Sequence, residues 1–138
     1  MDAQDLGYAL TQVAHNLGAV SVTGGAAAAR CLRFSERQAA ERRLVWLVLA
    51  GWAAQGASGA GFGAISYASY GHLPDIHGIA IAALVLKMFC AAAGFSLAAL
   101  YLLRASRWSG ASRQGAWSAL FGFALTALTA AAFLRWFS

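Results

Sequence analysis

Lys87 stands in the middle of the apolar run IAALVLKMFCAAAG, with no acidic residue in the same run to balance it. An amine placed among apolar neighbours is costly unless something accepts its hydrogens, so such a residue points to a partner or a ligand. The stretch Gln12, His15 and Asn16 gathers three polar side chains on neighbouring parts of one helical face inside another apolar run, and Gln55 interrupts a third. A neutral imidazole is the usual ligand for haem iron or a metal ion, and it also serves as a buried hydrogen-bonding group. His15 therefore reads either as a haem or metal ligand or as a structural histidine bonded to Gln55 or a carbonyl. His72, Asp75 and His77 sit together in GHLPDIHG, where two imidazoles and a carboxylate offer weak metal binding or simple solvation.

The remaining chemistry is sparse. No GxxxxGK[ST], HExxH or CxxC occurs, and no Ser/His/Asp set lies within reach, so no catalytic residues are assigned. The glycine-rich GASGAGFG at 56–63 is read as a helix-packing stretch rather than a phosphate cradle. Cys31 and Cys90 fall at different levels of the chain and are expected to be unpaired.

Composition says what must position these groups. Hydrophobic residues make up 60% of the 138-residue chain and charged residues 11%, against roughly 25% charged in a soluble domain. That balance excludes a soluble enzyme, a disordered chain and a disulfide scaffold. The net charge of +5 comes from arginines clustered between apolar runs, which argues for the lipid bilayer and against nucleic acid. Four stretches reach the roughly 20 residues needed to span a bilayer: about 6–29, 44–70, 78–103 and 115–137. Strands are excluded because open strands leave backbone groups unsatisfied in lipid. The expectation is an all-α, four-transmembrane-helix antiparallel bundle, a single integral membrane domain over residues 1–138.

RCLRFSERQAAERR carries Arg30, Arg33, Arg37, Arg42 and Arg43, and RASRWSGASRQG carries Arg104, Arg107 and Arg113. These are eight of the ten Lys+Arg. The positive-inside rule assigns that side to the cytoplasm, which puts both termini, Asp2, Asp5 and the His72–His77 loop on the outer, periplasmic side. The acidic N-terminus is unlike a cleavable signal, and a bacterial inner membrane is the natural compartment. Trp46, Trp108, Trp117 and Trp136 fall near the predicted interfaces, with Trp52 deeper as a packing residue. Small-residue stripes are expected to bring the helices together: Ala14, Gly18, Ser21 and Gly25; Gly59 and Gly63, with Gln55 one turn before; Ala83, Lys87, Cys90, Ala91, Gly94 and Ala98; Gly122, Thr126 and Thr129.

Depth then relates the candidates to one another. His15 is nine residues from Leu6 and Lys87 nine from Gly78, about 13 Å at 1.5 Å per residue. The two belong at the same level, with Gln55 somewhat deeper. His77 belongs roughly 13 Å above His15, too far for bis-histidine ligation.

VAHNLGAVSVTGG with His15, ERRLVWLVLAGWAAQGASG with Arg42 and Arg43, and IAALVLKMFCAAAG with Lys87 resemble the broad CopD-like/HemJ-like group of membrane proteins. That resemblance implies a four-helix unit with a histidine in the first helix and a lysine in the third. HemJ-type proteins bind haem b and oxidise protoporphyrinogen, and CopD-type proteins are linked to copper handling. The sequence departs from the HemJ pattern after the lysine, where Gly94, Phe95 and Ser96 replace a further histidine. Three functions are thus expected to compete. One is a small haem-binding or redox protein, with His15 as axial ligand and Lys87 meeting propionates, a porphyrin or a quinone. The second is an accessory subunit of a larger membrane complex with no cofactor. The third is a copper- or metal-handling protein, using His72, Asp75 and His77 at the entrance, His15 and Lys87 within, and a homo-oligomer to complete the path.

Overall fold

The computed structural model describes residues 3–32 and 34–137, with the side chains of all but 34, 37 and 38. Asp2, Arg33 and the Arg37 side chain therefore lie outside the described residues. Four long helices account for nearly all of the rest: α1 (Ala3–Cys31), α2 (Phe34–Tyr70), α3 (Ile79–Arg104) and α4 (Gly110–Phe137), with a single 3₁₀ turn at Ala105–Arg107. No strand occurs among the described residues. Consecutive helices pack side by side and α4 closes back on α1, so α1 and α3 lie diagonally across an antiparallel bundle.

Each break has a local cause. Gly71 and Gly78 adopt φ of 74° and 52°, a region that side chains disfavour. Pro74 between them cannot continue a helix. Ser109 stops the 3₁₀ turn and starts α4, its Oγ accepting the Ser112 N–H at 3.1 Å as an N-cap.

The four helices lie over the four expected apolar runs, with one clear difference in bounds. α2 begins at Phe34, not near Leu44. The arginine-rich stretch is helical because Glu36, Gln38, Ala39, Ala40 and Glu41 are all good helix formers, which starts α2 three residues after the end of α1. At 37 residues, α2 is about 55 Å long. Only Ile79–Arg107 and Gly110–Phe137 are long and apolar enough to cross a membrane by length and composition. The first two helices fall short because Gln, His, Asn, Thr, Ser and Gly dilute their apolar content.

Size is distributed unusually between inside and outside. The buried core is mostly Ala, Gly and Val, with Trp52, Cys90, Tyr101, Trp117 and Leu120 as its larger members. The outer faces carry Leu10, Leu17, Val20, Trp46, Val85, Met88, Phe89, Leu128 and Trp136, all exposed.

Close approach between helices is made by glycines that differ in part from the expected ones. α1 crosses α2 where Gly18 and Gly25 face Gly51 and Val48. A Cβ on Gly51 would lie 2.8 Å from Val22 and 3.0 Å from the Gly18 carbonyl oxygen, too near to be tolerated. Gly59 has open space at its Cα, and Gly63 only an ordinary contact with Leu73, so the expected GxxxG is not the contact. Gly122 is also open, and α4 instead packs through Ala116, Trp117, Leu120, Ala124, Ala127 and Ala130. The α3 stripe holds in part, with Ala83, Cys90, Gly94 and Ala98 buried and Lys87 and Ala91 half-buried. Both Cys31 and Cys90 are free.

Candidate functional site

The two polar residues placed at one depth by counting helical rise are in contact. Lys87 Nζ lies 2.8 Å from His15 Nε2, joining α3 to α1 across the bundle. The other ring nitrogen, Nδ1, lies 2.7 Å from Ser58 Oγ on α2. The hydrogens can be assigned from the acceptors. Ser58 Oγ–H donates to the Ala54 carbonyl at 2.5 Å, so its oxygen has only lone pairs left for His15. Nδ1 then carries the ring hydrogen and donates to Ser58, and Nε2 accepts from Lys87. Hydrogen bonds thus run in one direction, from Lys87 through His15 and Ser58 to the α2 backbone.

The elements hold this chain by simple geometry. Ser58 is buried one turn beyond Ala54, and the serine hydroxyl bonds back to that carbonyl as serines in helices commonly do. Gln55, also buried, donates from Nε2 to the backbone carbonyl of His15 at 2.5 Å, not to its ring. It thereby satisfies a carbonyl at the α1–α2 crossing, just where Gly18 lets the backbones meet. Phe62 packs its ring edge-on to His15 at 5.7 Å between centroids. Ser58 and Phe62 were not singled out from sequence, although both follow Gln55 at helical spacings of three and seven.

The other sequence-assigned residues are placed elsewhere. Gln12 is exposed and donates to Asn16 Oδ1 at 2.8 Å, so it does not join His15. His77 and Asp75 lie 3.3 Å apart on the exposed loop. His72 is turned away, its Nδ1 2.9 Å from the Leu73 carbonyl oxygen. No group of three or more His, Cys, Asp or Glu side chains able to hold a metal ion occurs among the described residues. The proposed loop set of His72, Asp75 and His77 is therefore not assembled. Its backbone turns through Pro74 and sends the two imidazoles to different partners.

A second polar cluster, at the opposite end of the bundle, had no counterpart in the sequence reading. Glu41 on α2 accepts from Tyr101 Oη–H on α3. On α4, Trp117 Nε1–H donates to Tyr101 Oη at 3.1 Å and reaches Glu41 Oε1 at 3.4 Å. Arg113 completes the set with an ion pair to Glu41 at 3.3 Å and a bond from its Nε to the Ala105 carbonyl at 2.9 Å. Trp117, expected near the interface, is fully buried here because its indole N–H has these acceptors. The only available signal was an acidic residue within an arginine-rich stretch. With α2 begun at Leu44 in the sequence reading, Glu41 fell in a loop.

Compared with protein-family models, curated proteins and solved structures, the chain matches none. Its chemistry is therefore read from its own side chains.

Proposed function

We propose that the chain is a small four-span integral membrane protein that binds haem b, or a related porphyrin, at His15 and Lys87, in a redox or porphyrin-related role. The observation that carries this reading is the juxtaposition of an oriented imidazole and an amine in one apolar bundle. A ligating histidine normally donates its other ring N–H to a fixed acceptor. His15 does so through Ser58, which leaves Nε2 as the ligating nitrogen. Lys87 is at that nitrogen in the described arrangement. Iron would take Nε2 only as the amine turned aside, and the amine would then be placed for a propionate. The group would supply one-electron chemistry; the chain would supply the nitrogen, the cation and the exclusion of water.

The membrane part of the proposal rests on the large apolar side chains facing outward on all four helices, over a core made mostly of small ones. That is the reverse of a water-soluble bundle and suits lipid, where small residues bring helices together. The end bearing Arg30, Arg42, Arg43, Arg104 and Arg107 faces the cytoplasm in this reading, in a bacterial inner membrane.

One observation favours a second reading, an accessory subunit with no cofactor. Both ring nitrogens of His15 are already bonded, so the chain of hydrogen bonds is complete as it stands. A copper site has less support, since no group of three or more metal-ligating side chains occurs among the described residues.

One experiment separates these. Protein purified in mild detergent is expected to show a Soret band, a reduced α-band with dithionite and near-stoichiometric haem by pyridine haemochrome. His15→Ala is expected to lose the Soret band, and Lys87→Met to lower haem occupancy while retaining the fold. A flat visible spectrum from folded protein sinks the haem reading. Other membrane subunits co-purifying with the wild type but not with Lys87→Met would then establish the accessory one.

A further inference from the structure

α1 presents polar side chains outward where a membrane helix has no water to meet them. Gln12 and Asn16 are exposed, bonded only to each other among the described residues. At 100° per residue they share a strip with Ala9 and Thr23, and Val13 and Val20 flank it, 55% and 69% exposed. The polar line ends at Thr23, whose Oγ1 is buried beside a shallow apolar groove of about 340 Å³ against Leu128 of α4. The strip faces away from α2, which packs on Gly18 and Gly25. No charged residue occurs from Leu6 to Ala29.

We propose that this strip is where a second copy of the chain docks, α1 against α1, about a two-fold axis along the membrane normal. Two copies inserted the same way and related by that axis bring each residue opposite its own counterpart at one depth. Only a group that both donates and accepts can pair with its own copy. Amides and hydroxyls do; carboxylates and ammonium groups do not. The polar groups exposed on the strip are the two amides of Gln12 and Asn16, the Thr23 hydroxyl being buried, so its exposed polar part is self-complementary. Aliphatic side chains would not hold the copies together, because lipid is as apolar as they are; the amides supply the attraction and the register, and Ala9 lets the backbones approach. The proposal rests on the membrane reading and is independent of the haem reading.

The test uses the full chain in its own membranes with the exposed Cys31 replaced by Ser and the buried Cys90 kept. Ala9→Cys is expected to form a disulfide-linked dimer under mild oxidation. Met88→Cys, 63% exposed on α3, is expected to give none. Equal yields from the two, or no dimer from Ala9→Cys, overturns the proposal. The double variant Q12L/N16L should weaken dimerisation in detergent by about tenfold to a hundredfold, the worth of two interhelical amide pairs. An unchanged dissociation constant counts against it just as firmly. Retention of the chain in alkali-washed membranes checks the membrane reading separately.

Discussion

Gly94→Ala destabilises the bundle by about 3 kcal/mol, the upper range of overpacking in a closed core. A Cβ at this position would lie 2.5 Å from Trp52 Nε1 and 2.7 Å from its Cζ2, inside the indole of a side chain only 3% exposed. The clash cannot be relieved by a flexible chain end, since the indole is rigid and sits beside Cys90 and Ala98 in the same core. The thermal midpoint in detergent is expected to fall, with Trp52 fluorescence shifting to the red as the ring is displaced. Trp52→Leu alone also costs stability, but in the Gly94→Ala background it should restore part of what the glycine substitution lost. That non-additivity marks direct contact. A Gly94→Ala variant with an unchanged midpoint would show that α2 and α3 do not approach in this way.

The second large effect lies at the arginine-rich end. Glu41→Ala removes the acceptor shared by Tyr101, Trp117 and Arg113. It should cost about 2–4 kcal/mol, because a buried hydroxyl loses its acceptor and a largely buried guanidinium its counter-charge. Trp117 keeps Tyr101 as an acceptor in that variant, so its indole adds little to the loss. Glu41→Gln keeps an oxygen acceptor but loses the ion pair, and should fall between wild type and Glu41→Ala. Detergent unfolding of the two variants beside the wild type reads that order directly. If Glu41→Ala and Glu41→Gln are equally mild, the cluster is an exposed ion pair of little consequence.

These two sites differ in how far they could be read in advance. Gly94 belonged to a visible stripe of small residues on α3, because a helical period of 3.6 residues makes such stripes countable. Its partner was not countable. That Trp52 fills the notch depends on the rotation of α2 about its axis, which periodicity in α2, with small residues on several faces, leaves open. The same ambiguity explains why Gly59 and Gly63 looked like a contact while Gly51 makes it.

Other elements divide along the same line. Helix number, most of the bounds and the clustering of arginines follow from run length and composition, because a long apolar helix needs only a continuous apolar stretch. The common depth of His15 and Lys87 follows too, since rise per residue is constant. Their contact does not. It requires α1 and α3 to turn toward one another across the diagonal, and it requires Ser58 to hold the imidazole in one orientation. Glu41 shows the complementary case: its role depends on a helix extending ten residues past the apolar run and on two other helices ending beside it. Sequence alone therefore determined which groups this protein carries, on which helices and at what level. The tertiary structure decided which of them meet, because meeting depends on axial rotation and helix ends that no single segment encodes.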